Sequence, residues 1–168
     1  MHKDMRKIIY DSVNLQNLYL TELFDLSDVE VTRNFICNHN QLTSLKGSPH
    51  TIGGNFWCTS CGLTSLVGAP VTIKRSFYCT DNILTSLKGG PQTVGLHYMV
   101  IHNQLKNFIG APETVNGCFR AHLNPLTSLE GIPKFIGGSF SISKELEDKF
   151  PIKYIRSLSE IKGGISYM

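Results

Sequence analysis

Cys58 and Cys61 stand in a C-x-x-C. That spacing serves zinc when a second pair of ligands faces it, and redox chemistry when one thiolate is stabilised. No second pair completes a tetrahedral site, since Cys37, Cys79 and Cys118 each stand alone. A structural placement of both thiols is therefore favoured over zinc, and zinc over redox chemistry. The six histidines (His2, His39, His50, His97, His102 and His122) join no serine and aspartate in a grouping that surface composition would not equally explain. The glycines form no phosphate-cradling loop. The expectation is a non-enzymatic chain with no catalytic residue, no metal, no cofactor and no small-molecule substrate.

What positions these residues is a repeat. Sliding the chain against itself by 21 residues aligns it without gaps, with leucines at Leu42, Leu63, Leu84, Leu105 and Leu126 and a degenerate copy near Thr21. Three residues on come Phe24, Leu45, Leu66, Leu87, Phe108 and Leu129; then Gly47, Gly68, Gly89, Gly110 and Gly131; then Pro49, Pro70, Pro91, Pro112 and Pro133. A β-branched residue follows in each copy: Val31, Ile52, Ile73, Val94, Val115 and Ile136. Fixed periods of this length mark a solenoid, in which every copy is one rung that cannot hold its core alone.

The next columns are Phe35, Phe56, Phe77, Tyr98, Phe119 and Phe140, with Cys37, Cys58, Cys79, Val100, Ala121 and Ile142 two residues later. A spacing of two puts both columns on one face of a strand. Parallel rungs about 4.8 Å apart would stack aromatic on aromatic and thiol on thiol. Cys58 thus falls in the inward strand column, and Cys61 falls in a polar column with Asn40, Asn82, Asn103 and Asn124. The repeat itself accounts for the C-x-x-C, and Cys118, in an outward column, is the expected exposed thiol. Gly and Pro in each connection predict turns and extended chain, without helices, on the side opposite the strands. His39 and His102 lie in one column three repeats apart, too far to share a metal ion.

The pattern F-x-C-x-x-N-x-L-x-x-L, carried by Phe77, Cys79, Asn82, Leu84 and Leu87, resembles the leucine-rich-repeat core, in its short bacterial and phage-encoded form. The resemblance spans about residues 21–142. It implies a β-rich solenoid with one parallel sheet of about six short strands, a helix-poor convex side, and a strand face that binds proteins. It implies that the asparagine column is buried and hydrogen-bonds neighbouring turns, with Cys61 as a tolerated variant. It also implies an accessory factor that grips and modulates, or inhibits, a host protein.

A solenoid needs caps. Residues 1–20 are expected as a helical N-terminal cap, with Met5, Ile8, Ile9 and Val13 at helical spacings. Glu145 and Glu147 break the register after Ile142, so residues 143–168 are expected as a C-terminal cap of one or two helices ended by Gly163 and Gly164, with a partner-binding helix as the alternative.

The outward strand positions are free of core demands and so report on the surface. One file reads Ile36, Trp57, Tyr78, Met99, Arg120 and Ser141. Asn34, Asn55, Ser76, His97 and Cys118 flank it on one side, and Asn38, Thr59, Thr80, Ile101 and His122 on the other. Strand propensity would explain scattered large residues, whereas a file of Trp, Tyr and Arg with a polar border has the composition of a binding hot spot. Ile36, Trp57, Tyr78, Met99, Arg120, His97, Ile101 and His122 are the expected partner-binding residues. Nucleic acid ranks second as a ligand, because Lys46, Lys74, Arg75, Lys88 and Lys106 lie on turns and edges rather than along the aromatic file. A purely structural role ranks behind it.

The formal charge of +3 is mild, and 41% hydrophobic against 17% charged residues fits a folded domain. An odd cysteine count, an N-terminus without a secretory apolar core and the lack of a membrane-length apolar run lead to the expectation of a cytoplasmic protein that binds no membrane.

Overall fold

The computed structural model describes residues 8–168, and what they form is a β-solenoid of eight rungs with two parallel sheets. In chain order the strands are β1 (Ile8–Tyr10), β2 (Val13–Asn14), β3 (Val29–Val31), β4 (Phe35–Ile36), β5 (Thr51–Ile52), β6 (Phe56–Trp57), β7 (Thr72–Ile73) and β8 (Phe77–Tyr78). They continue as β9 (Thr93–Val94), β10 (Tyr98–Met99), β11 (Thr114–Val115), β12 (Phe119–Arg120), β13 (Phe135–Ile136), β14 (Phe140–Ile142), β15 (Glu160–Ile161) and β16 (Ile165–Tyr167). The odd strands form one eight-stranded sheet and the even strands the other, each strand pairing with its counterpart one rung away.

Two sheets replace the single six-stranded one expected. The second arises from the Thr-Ile and Thr-Val pairs, which pair in parallel as Thr51 with Thr72 and Ile73 with Val94. Their isoleucines and valines turn inward and are buried while the threonines stay outside, so the core is sealed by both sheets and by the leucines of the connection. A strand of two residues shows no alternation in sequence, which is why the segment read as extended chain.

Both ends also differ from the expectation of helical caps. Ile8, Ile9 and Val13 lie in β1 and β2, which pair with β3 and β4; Met5 falls outside the described residues. Isoleucine, tyrosine and valine favour the pleated conformation, and pairing with a formed rung outweighs helical spacing. Val13 pairs with Phe35, a step of 22, because one residue fewer separates β1 from β2. In consequence Leu20 and Leu23, rather than Thr21 and Phe24, occupy the leucine columns: Leu23 is buried and Phe24 is 62% exposed. At the other end only Lys144–Leu146 (one 3-10 turn) and α1 (Ile152–Leu158) are helical. The chain then rejoins both sheets, Ile136 pairing with Ile161 and Phe140 with Ile165. Four residues more than the 21-residue period are accommodated as this helical bulge, whose Leu146, Phe150 and Ile155 are buried. Gly163 and Gly164 form the corner between β15 and β16 rather than a helix stop.

Within the core the aromatic column is continuous. Ring centroids are 5.1 Å apart for Phe35 and Phe56, 6.0 Å for Phe56 and Phe77, 5.3 Å for Phe77 and Tyr98, and 5.5 Å for Tyr98 and Phe119. The turn between sheets carries Gly47, Gly68, Gly89, Gly110 and Gly131 at φ of 79–98°, a region hostile to residues with a Cβ. At Gly68 an added Cβ would also meet the backbone of Lys46 at 2.5 Å.

Tyr98 interrupts the phenylalanine column with a hydroxyl that is fully buried and has no hydrogen-bond partner among the described residues, and burial pushes its phenol well above the ordinary value. Removing it should relieve a desolvation cost. Tyr98→Phe is expected to leave the protein as stable or about 1 kcal/mol more stable. Phe77→Ala, which opens a cavity in the same column, should cost about 3–5 kcal/mol. Urea titration of both variants checks the pair; a large loss in Tyr98→Phe would mean that the hydroxyl is bonded after all.

Candidate binding face

Parallel pairing brings the outward file into one line across the even-numbered sheet: Ile36 beside Trp57, Trp57 beside Tyr78, Tyr78 beside Met99, and Met99 beside Arg120. All five are half-buried. Trp57 and Tyr78 stack face to face, with centroids 5.3 Å apart and planes within 6°, so their edges point to solvent. The file ends at the small, buried Ser141 on one side and at Asn14 on the other. Among the described residues no carboxylate pairs with Arg120; the ion pairs Arg33–Asp11, Lys134–Glu113, Lys144–Glu147 and Lys162–Glu160 lie elsewhere.

One flank is a second ladder that sequence reasoning took for a solvent-facing rim. Asn34 Oδ1 accepts the Asn55 amide N–H (3.0 Å) and Asn55 Oδ1 that of Ser76 (3.0 Å). Ser76 Oγ accepts the His97 N–H (3.3 Å), and His97 Nδ1 accepts the Cys118 N–H (3.0 Å). Each side chain thus satisfies a backbone donor one rung on. His97 belongs to this scaffold through its Nδ1. Short polar acceptors recurring at the repeat period immediately before the strand were the signal available in sequence.

On the other flank Ile101 and His122 are half-buried, and His122 Nδ1 lies 3.3 Å from Ser141 Oγ. Asp81 and His102 form an exposed pair at 2.6 Å at the next corner. Cys118 is the partly exposed thiol, as expected. Desolvation pushes its thiol up, but hydrogen bonding from Ser139 and the charge and hydrogen bond of Arg120 outweigh this and hold it below the ordinary value.

The asparagine ladder lies inside. Asn82 Nδ2 donates to the carbonyls of Cys58 (2.9 Å) and Thr80 (3.1 Å), while its Oδ1 accepts the Cys61 and Leu63 amides (3.1 and 3.0 Å). Asn40 accepts the Leu20 amide (2.9 Å), Asn103 that of Leu84 (3.0 Å) and Asn124 that of Leu105 (3.0 Å). Cys61, in the same column, offers only a thiol donor, to the Cys37 carbonyl at 3.0 Å. Cys58 donates the opposite way, to Tyr78 on the following rung at 3.5 Å. The two thiols of the C-x-x-C therefore do not converge, and no group of three or more potential ligands suited to a metal occurs among the described residues. Burial pushes the Cys58 thiol well up; the Cys61 hydrogen bond, then burial, do the same for Cys37.

No known protein family, curated protein or solved structure matches this chain.

Two measurements test the inner ladder and the His122 flank. Cys61→Asn should complete the inner ladder and raise stability by about 1 kcal/mol, whereas Asn82→Ala, which strands two buried amides, should cost roughly 2–4 kcal/mol; equal, small effects would show that the column contributes no polar satisfaction. The second concerns His122, whose imidazole is held below its ordinary value first by burial and then by the Arg120 charge. The folded state resists protonation while the unfolded chain takes up the proton near pH ~6.5, so stability is unaffected above that pH and falls below it. The drop in Tm on acidification from about pH 7.5 to about 5.5 should be smaller in His122→Asn than in the wild type; an identical drop would remove His122 from the account.

Proposed function

We propose that this chain is a non-enzymatic protein-binding module of leucine-rich-repeat type, acting in the cytoplasm as a bacterial or phage accessory factor that modulates a host protein. The observation that carries the reading is the Trp57–Tyr78 stack at the centre of a five-rung file with Ile36, Met99 and Arg120. Large amphipathic anchors held in fixed rotamers by their neighbours lose little entropy on binding, which is what hot spots require. The inner ladder of Asn40, Asn82, Asn103 and Asn124 supports the leucine-rich-repeat assignment, because it makes the contacts that the resemblance implies. Five free cysteines are consistent with a reducing compartment, and no helix among the described residues is long and apolar enough to cross a membrane.

The ring geometry also weighs against the nucleic-acid reading. A base stacks on an open aromatic face, yet Trp57 and Tyr78 turn one face each toward the other and present their edges outward. Protein side chains pack against edges and ridges as readily as against faces.

The test is affinity capture from a bacterial lysate with wild type and the Trp57→Ala/Tyr78→Ala double variant. Loss of the stack should weaken binding by about 2 kcal/mol or more per ring, with little cost to folding, since neither ring is fully buried. A protein retained by wild type alone supports the reading. Equal retention by the two, with both folded by circular dichroism, removes the even-sheet face from it.

A further inference from the structure

We propose that the file from Ile36 to Arg120 is the seat for an acidic amphipathic α-helix lying across the strands, a specification that rests on the protein-binding reading above. The periods decide the occupant's conformation. Successive anchors on the file are one rung apart, ~4.8 Å, so Trp57, Tyr78 and Met99 stand ~4.8, ~9.6 and ~14.4 Å from Ile36.

An extended peptide repeats its side chains on one face every ~6.7 Å and would be out of step by ~2 Å at the second anchor and by ~6 Å at the fourth. A helix presents residues i, i+3, i+7 and i+10 on one stripe, at ~4.5, ~10.5 and ~15 Å along its axis. Every anchor is then met within about 1 Å, which side-chain flexibility absorbs. Arg120 lies one further rung on, ~19 Å from Ile36, and the helix reaches it with position i+13 or i+14. The bounded length of the file, from beyond Asn14 to before Ser141, fits about four helical turns.

Charge decides the occupant's sign. The cations of residues 33–142 other than Arg120 lie on turns and edges, so the full charge carried by the file itself is the one at Arg120. Arg120 stands at the end of the file without a carboxylate partner among the described residues. A glutamate on the helix one turn beyond its apolar stripe would meet the guanidinium, which favours planar carboxylates. The carboxylate also fixes the direction of the helix on the face.

The probe is a synthetic helical peptide on an alanine–glutamine background, with leucine at i, i+3, i+7 and i+10 and glutamate at i+13 and i+14. A second peptide of identical composition places its leucines at every other position, and a single-stranded oligonucleotide represents the other class of anionic ligand. Fluorescence anisotropy is read against wild type, the double variant Trp57→Ala/Tyr78→Ala and Arg120→Glu. The helical peptide should bind at least about tenfold tighter than its alternating isomer, lose binding to the double variant, and weaken about tenfold against Arg120→Glu. A peptide with lysine replacing the two glutamates should recover the loss against Arg120→Glu. Preference for the alternating peptide or the oligonucleotide, or no recovery on charge reversal, overturns the proposal. If neither peptide binds while a lysate protein is still retained by wild type and not by the double variant, the helix is wrong and the binding face stands; if both experiments fail, both readings fall.

Discussion

Translation by one rung governs this molecule. Because each strand pairs in parallel with its counterpart in the next repeat, every residue sits over the residue at the same position of its neighbour. A side-chain type is therefore acceptable in an inward column only if it packs or bonds with copies of itself. Phenylalanine meets this by ring stacking and leucine by interdigitation. Among polar residues asparagine meets it best, since its amide both donates and accepts and so links a rung to the amides and carbonyls of the rung before. Cys61 meets half of the requirement through its thiol, and Tyr98 fails it, with a hydroxyl no neighbour can satisfy.

The same constraint shows where the chain tolerates irregularity. The second strand of the first rung is spaced at 22 residues and both strands of the last at 25, yet both sheets continue through them without a break in pairing. The differences are absorbed outside the strands, at the corner after Tyr10 and in the helical bulge of residues 143–158, where backbone is not bound to a register. Insertion at a corner costs loop entropy that grows slowly with length, whereas insertion within a strand would turn an entire inward set outward.

Much of this was legible in the sequence because columns are a property of the period alone. The aromatic, cysteine, asparagine, leucine and glycine columns could be read without knowing the conformation of any residue. Three things could not. The Thr-Ile strands are too short to alternate, so one whole sheet was hidden. The terminal rungs depart from the period after Tyr10 and after Ile142, so Val13–Asn14 and Glu160–Ile161 lost their alignment and were read by local helical spacing. The flank of Asn34, Asn55, Ser76 and His97 was seen as a column but given to solvent, because sequence does not reveal whether a polar side chain turns outward or along the axis to the next amide.

The flank ladder bears on how the face works. A rim of free polar side chains would have to be desolvated and ordered by each partner, at a cost that offsets its contacts. Here Asn34, Asn55, Ser76 and His97 are already committed to backbone amides, and Trp57 and Tyr78 already hold each other. Translation thus organises the outer surface as it does the core. The residues left with unused bonding capacity along the file are few, Arg120 foremost. Recognition is therefore concentrated in shape along a rigid ridge and in one charge at its end, and a partner that matches the rung spacing gains apolar contact at each anchor without reorganising the solenoid.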